Sequence, residues 1–460
     1  MTSESIDITN KNSSTISADL AGVPLSSIRK ILPDKAIQKA CQDAGYSFRN
    51  RLITPVTTVL HMLLSAIWPE ESFNASWQVL WSVFKSRYPQ SSQAAPSRGT
   101  VANARSRLPQ LVWDKLFAWV SQQAQRLSLT WAYWNGHRVV LLDGTCVSMQ
   151  ENPELMAQFG TQRGYHGVAR YPVARLACLS LANTMTVISY ALGGYCQDET
   201  VLAQDILENL QKGDLLIADR HFAAAHYYVR YQRLGLEFLT RVHQRLKLSR
   251  IKRIVSYSPN DFIGRMKVGD SYRRKDTTLP QWIKVRFIRA KLLVRGKLQT
   301  VWLVTSLLDS ERYPAKEIIK LYARRWRIET LFRELKISLS ADVLRSMTPN
   351  GIRKEIAARL TAINIVRSIM LEAAEQNGVE DPLRISFVFA LRAILNFSPS
   401  LAIEPFWKLS LIYEAMLREI ANHRTKWRPG RNEPRAIRRD QRRYTRLMTT
   451  REQWRNQYAA

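Results

Sequence analysis

The stretch Tyr322-Ala323-Arg324-Arg325-Trp326-Arg327-Ile328-Glu329-Thr330-Leu331-Phe332-Arg333-Glu334-Leu335-Lys336 repeats reactive side chains at helical spacing. Pro314 stands where a helix can begin, and neither Gly nor Pro interrupts Ala315 to Ser338, so the pattern predicts a single helix of several turns. At roughly 100° per residue, Tyr322, Arg325, Glu329 and Lys336 fall within about 60° of one another on the helical wheel. Leu321, Ile328, Leu331 and Leu335 occupy a neighbouring arc and supply a core side. Two readings of the polar face are open: a solvated surface laced with Glu-to-Lys and Glu-to-Arg pairs, or groups aimed at a common ligand.

Working outward, Arg138-Val139-Val140-Leu141-Leu142-Asp143-Gly144 is a β-branched and leucine run ended by Asp-Gly, which reads as a buried strand meeting a turn. Strand-like runs follow at 173–181 and 185–192, then a helical pattern over 199–210 stopped by Gly213. Asp214-Leu215-Leu216-Ile217-Ala218-Asp219 is a second buried strand ended by Asp, and a helix over 223–234 and a strand over 236–242 complete the series. Strands alternating with helices in this way make an α/β sheet. Residues 244–303 are basic, rich in Val, Ile, Tyr and Arg and punctuated by turns, so they read as an all-β insertion. Beyond the signature stretch, helices near 351–375, 385–395 and 406–421 look structural.

The expected layout is therefore a flexible tail (1–22), a helical front (23–130), a first part of an α/β core (131–243), the insertion (244–303), a second part of the core (304–400) and a C-terminal helix with a basic arm (401–460). In the front, Asp34 can cap a helix ending before Gly45, Thr54-Pro55 opens another, and Trp77, Leu80, Trp81 and Phe84 recur at helical spacing as core. Residues 96–109 form a short helix bracketed by prolines and carrying three arginines, which suits a helix-turn-helix reader of DNA. Residues 423–460 hold twelve Lys or Arg against three acids, with Trp427, Tyr444 and Trp454 interleaved, as in a nucleic-acid-binding arm.

Composition agrees. Lys plus Arg number 68 against 38 Asp plus Glu, a net +30, which calls for a polyanionic partner. No run approaches 18 apolar residues, so nucleic acid is favoured over membrane. Residues 1–5 lack the features of a secretory signal, and four scattered cysteines form no C-x-x-C pair, as expected of a chain in a reducing cytoplasm.

Asp143, Asp219 and Glu329 come from two strand ends and one helix. If they converge, their mutual repulsion demands cations, and oxygen ligands without His or Cys select magnesium or manganese over zinc. Two such ions, about 3.5 to 4 Å apart, suit in-line displacement at a phosphodiester.

The order Tyr322, Arg325, Glu329, Lys336, with the Arg-Trp-x-Ile-Glu core around Trp326, resembles the signature of the DDE transposases of the insertion-sequence type four family. Asp143 in Leu-Leu-Asp-Gly-Thr and Asp219 in Ile-Ala-Asp-Arg-His-Phe resemble that family's two upstream catalytic aspartates. The resemblance implies an RNase H-like core, two magnesium or manganese ions on Asp143, Asp219 and Glu329, and cut-and-paste transposition through a DNA hairpin. It assigns Tyr322, Arg325 and Lys336 to phosphates around the hairpin and Trp302 to a flipped base, although Trp302 is offset by one residue. Its partners would be double-stranded DNA (the terminal inverted repeats and the target) and a second copy of the chain in a synaptic homodimer, in a bacterial nucleoid. His221 replaces the usual Gly after Asp-Arg. The competing functions are an RNase H-like nuclease without strand transfer and a domesticated, non-catalytic DNA-binding protein.

Overall fold

The computed structural model describes residues 26–425, except 50–51, 70–71, 88, 165–166, 244–245, 295–296 and 404–405, together with 452, 453 and 456. The expected tail over 1–22 and all but a few residues of the basic arm lie outside the described residues.

Six helices come first among the described residues: α1 (Ser26–Ile31), α2 (Asp34–Asp43), α3 (Pro55–Ile67), α4 (Phe73–Arg87), α5 (Arg98–Arg107) and α6 (Gln110–Leu127). Their starts follow local chemistry. Thr54 Oγ1 accepts from Thr57 N at 3.2 Å with Pro55 at the first helical position, and Ser97 Oγ caps α5 by accepting from Thr100 N at 3.2 Å. Asp34 sits one residue inside α2, where it pairs with Arg29, and Pro33 takes the cap position. Trp77, Leu80, Trp81 and Phe84 are all buried.

A short helix α7 (Leu129–Ala132) leads to strands β1 (Tyr133–Trp134) and β2 (His137–Met149), then α8 (Pro153–Phe159), β3 (Thr161–Gly164), β4 (Gly167–Leu181), β5 (Val187–Gly194), α9 (Glu199–Ile206), β6 (Leu215–Ala218), α10 (Ala225–Arg233) and β7 (Glu237–Arg241). The insertion supplies β8 (Lys252–Ser258), β9 (Asp261–Lys267), α11 (Asp270–Lys275), β10 (Trp282–Val294) and β11 (Lys297–Thr305). After it come α12 (Ala315–Ala323), α13 (Arg327–Arg333), β12 (Val343–Leu344), α14 (Pro349–Gln376), α15 (Phe387–Ile403) and α16 (Phe406–Asn422).

The strands form one twelve-stranded sheet in the order β3-β4-β2-β6-β7-β11-β10-β9-β8, with β1 and β12 also on β2 and β5 on β4. Pairing is parallel for β2–β6, β6–β7 and β12–β2 and antiparallel elsewhere. One expectation changes here: the insertion is not all-β, since α11 interrupts it. It extends the central sheet through the pairing of β11 with β7.

Successive side chains alternate between two cores. Val139 and Leu141 join a core shared with the front helices, α12, α13 and α14; Val140 and Leu142 join a second with α9 and α10. The helical front is thus packed on the same core as one face of the sheet. Through it runs α14, capped by Thr348 and buried along most of its length. Its Lys354 ammonium, itself buried, donates to the carbonyls of Arg105 (3.2 Å) and Ser106 (2.8 Å) and so clamps the C-terminal end of α5.

Candidate active site

The register of the parallel pair sets the site. Leu142 of β2 lies opposite Ala218 of β6, so Asp143, midway along β2, and Asp219, just past the end of β6, stand side by side. Both fall on the alternation of Leu141 and Ile217, the face packed against α12 and α13.

The expected turn at Asp143-Gly144 does not occur. β2 runs through both residues to Met149, held by antiparallel β4 along its length. Gly144 answers to a close approach instead: a Cβ there would lie 2.3 Å from Glu199 Oε1. Glu199, the first residue of α9, thereby lays against Gly144 a carboxylate that the sequence did not single out, close enough to Asp143 for its charge to raise that carboxyl. The one signal for it was an isolated glycine inside a strand pattern, which marks close approach as readily as a turn.

The signature stretch is helical but not one α-helix. Between α12 and α13, Arg324–Trp326 tighten into a 3₁₀ turn, and Glu334–Ser338 widen into a π turn. The apolar arc behaves as read, with Leu321, Ile328, Leu331 and Leu335 buried. The polar face is not uniformly wet, however. Tyr322 and Arg325 are 2% and 5% exposed, because the helix lies against the sheet. Arg325 reaches Asp143 at 3.4 Å with one terminal nitrogen and Glu329 at 3.3 Å with the other, while its guanidinium lies 4.3 Å from the centre of the Trp326 ring. Glu334 is buried on Arg367 of α14, so it is no surface partner for Lys336. Among the described residues Lys336 has no ion pair, and no contact ties it to the carboxylates.

Electrostatics follow from burial. The Asp143 carboxyl is pushed up to about 7 by desolvation, which outweighs the Gly144 N–H at 2.9 Å and the Arg325 charge; Glu199 and Asp219 push it further. Burial also raises Glu199 and the Tyr322 phenol. Asp219 accepts from Arg220 N at 2.6 Å and caps the 3₁₀ turn Arg220–Phe222, so it serves that turn as well. His221 needs no left-handed backbone; it lies in that turn, 3.6 Å from Asp198.

All ligand candidates here are hard oxygens, a donor set that suits a divalent cation, and the Arg325 guanidinium supplies positive charge between Asp143 and Glu329. As they stand they are not a closed cage: among the described residues no three carboxylate, imidazole or thiol groups gather closely enough to hold an ion. Trp302 is not part of this group. It alternates with Val301 and Leu303, packs on the second core and meets Phe262 edge-on at 5.7 Å, on the opposite face of the sheet.

Residues 134–365, half of the chain, match the transposase DDE domain family. The chain belongs to that family. Family membership implies dependence on a divalent metal. One curated relative, the transposase InsG for insertion sequence element IS4 of Escherichia coli (strain K12), is 26% identical over 295 residues. That match covers 64% of this chain and 65% of InsG, just under two thirds of the relative's length. Together they bear out the type-four DDE resemblance read from the signature. Among solved structures, the piggyBac transposase synaptic complex with hairpin DNA is similar at a TM-score of 0.40 and 10% identity, over 87% of this chain and 86% of that one. Among the described residues no helix is long and apolar enough to cross a membrane, and the four cysteines are free.

Proposed function

We propose that this protein is a DNA transposase that cuts its element from double-stranded DNA and joins it to a target, using Asp143, Asp219 and Glu329 as metal-binding catalytic residues. The observation that carries the reading is Arg325 spanning Asp143 and Glu329 while Asp219 stands on the adjacent parallel strand. The order β5-β4-β2-β6-β7 supports an RNase H-like description of the core. Two magnesium or manganese ions on these carboxylates would activate the attacking oxygen and neutralise the leaving one. Arg325 then offers a bidentate fork, Lys336 a free point charge and Tyr322 a hydroxyl for phosphates of a hairpin. Incubating the protein with magnesium and DNA carrying the flanking repeats, and sizing products on denaturing gels, tests this. Nicked, hairpin and joined species are expected; nicks without joined species would indicate a nuclease, and intact DNA a non-catalytic binder.

Gly144→Ala is expected to leave the fold within about 1 kcal/mol of wild type, since the obstructing atoms are the far end of a flexible side chain. Cleavage should still fall about tenfold, because the Glu199 carboxylate, whose charge acts on Asp143, is driven off its place against Gly144. A thermal melt beside a cleavage time course checks both halves.

Magnesium should raise the thermal midpoint more at pH 8 than at pH 5.5. Asp143, titrating at about 7, must lose its proton to bind a cation. Calorimetry should therefore detect proton release on binding below pH 7, and equal stabilisation at the two pH values would remove Asp143 from the metal site.

Base readout is assigned to the front, through α5, where Arg98, Asn103 and Arg107 are exposed and Val101 is the one fully buried residue. Deleting 1–130 would strip the shared core, so surface variants are the proper test. Arg98→Gln with Arg107→Gln should weaken preference for the element's ends over random DNA at least tenfold in competition assays. Unchanged preference would move readout elsewhere. A second copy of the chain in the synaptic complex completes the proposal.

A further inference from the structure

The outer strands of the sheet carry cations that the site above does not use. β8, β9 and β10 hold eight Lys or Arg and one acid, Asp261. Arg286 takes that acid in a bidentate pair at 2.7 and 2.6 Å. In the register of these strands Lys252 lies opposite Arg265, and Arg265 opposite Lys284, which sets three exposed cations abreast. One step along the same face, Lys267 lies opposite Trp282, which is 41% exposed. Lys267 is held by Asp270 at 2.7 Å, but among the described residues Lys252, Arg265 and Lys284 have no ion-pair partner. Directly opposed side chains stand about 5 Å apart, and like charges placed so are destabilising. A sheet that keeps three of them in line gains from an anion that spans them.

Phe262, Met266, Ile283 and Val285 bury on the other side, so the row stands on the sheet face that also bears Asp143 and Asp219. Following the register from Asp219 through β7 and β11 to β10, the row lies three strands across and four residues along, about 14 Å and 13 Å. It cannot grip the same phosphate as Arg325. Its own length, about 10 Å, matches the rise of about three nucleotides of one DNA strand.

We propose that Lys252, Arg265 and Lys284 form a second phosphate-backbone contact, which holds duplex DNA at a distance from the reacting position. The proposal rests on the reading that this protein acts on DNA, and the row lies inside the segment that matches the transposase family.

The test uses the full chain with calcium in place of magnesium and a long random-sequence duplex, measuring affinity against salt. The triple variant Lys252→Gln/Arg265→Gln/Lys284→Gln should show a slope of log affinity on log salt lower by about 2 to 3, from about 0.9 per phosphate. Between 50 and 200 mM salt, wild-type affinity would then fall about forty-fold more than the variant's. The opposite-face triple Arg253→Gln/Arg289→Gln/Lys291→Gln removes equal charge and should leave the slope unchanged. Equal effects from both triples, or none from the first, overturn the contact; so does a row variant that loses binding to phosphatidylserine vesicles but keeps its DNA slope. The melting temperature of the row variant should hold or rise as repulsion is relieved. Should it fall, single variants at Lys252 and Lys284 decide, each expected to lower the slope by about one. Wild-type product formation is scored separately: no cleavage with the slope difference intact would sink the transposase reading and keep the contact, and cleavage without the difference would do the reverse.

Discussion

Asp143→Asn is expected to abolish strand cleavage while making the metal-free protein more stable at pH 8. The two effects share one cause. Burial raises the Asp143 carboxyl to about 7, so the folded state holds a proton that the unfolded chain, titrating near 4, releases. Ionised Asp143 therefore costs nothing below about pH 4, costs progressively more up to about pH 7, and carries its full penalty above that. The ceiling is about 4 kcal/mol for a shift of this size, and losing the negative charge beside Arg325 takes part of it back. A net gain of about 1 to 2 kcal/mol at pH 8, vanishing at pH 4, is the expected balance. Asparagine cannot supply an anionic ligand, so cleavage should fall at least a thousandfold, the equivalent of about 4 kcal/mol of transition-state stabilisation. Binding to element ends should persist, because Asp143 offers nothing to a phosphate. Melting curves across pH, run beside cleavage gels, decide the matter: cleavage near the wild-type rate would exclude Asp143 from the metal site, and a lower midpoint at pH 8 would contradict its burial penalty.

The parts of this site that were legible in sequence are those where chemistry and periodicity coincide. Two apolar runs each ending in Asp announced neighbouring buried strands, and the leucine arc of the signature stretch announced the face that packs. What escaped depended on contacts between distant segments. Asp-Gly reads locally as a turn, but tertiary pairing with β4 carries β2 through it, and the glycine answers to Glu199, 55 residues later. The 3₁₀ and π turns were invisible because no Gly or Pro marks them; Glu334 lies in the wide turn with its carboxylate on Arg367 of a later helix. Tyr322 and Arg325 looked like surface residues on a helical wheel, since a wheel contains no sheet for them to lie against. The helical front read as a separable domain because its periodicity is self-sufficient, yet its apolar faces close on α14.

Arg325 is where burial changes the expectation most. On a wet helix its loss would cost about 0.3 to 0.5 kcal/mol. Buried between Asp143 and Glu329, it neutralises two carboxylates, and Arg325→Ala leaves them facing each other without a counter-charge. Removing one partner of a fully buried pair costs about 3 to 5 kcal/mol, but Glu329 is half exposed and Asp143 can take up a proton, so about 1 to 3 kcal/mol is expected at pH 8. The sign with pH follows from Asp143: the attraction exists only where that carboxylate is ionised, so the loss should shrink as pH falls through 7. Arg325→Lys should restore most of the stability, because charge suffices for it. It should not restore hairpin formation, because a point charge cannot replace the fork on a bent phosphodiester. In both variants hairpin products are expected to fall at least tenfold further than first-strand nicks, whereas Lys336→Ala, at an unpaired and partly exposed position, should be milder. Time courses of nicked, hairpin and joined DNA separate the roles. If all three species decline in parallel in Arg325→Lys, the guanidinium serves only to balance charge between Asp143 and Glu329, and the phosphate contacts of the hairpin must come from elsewhere.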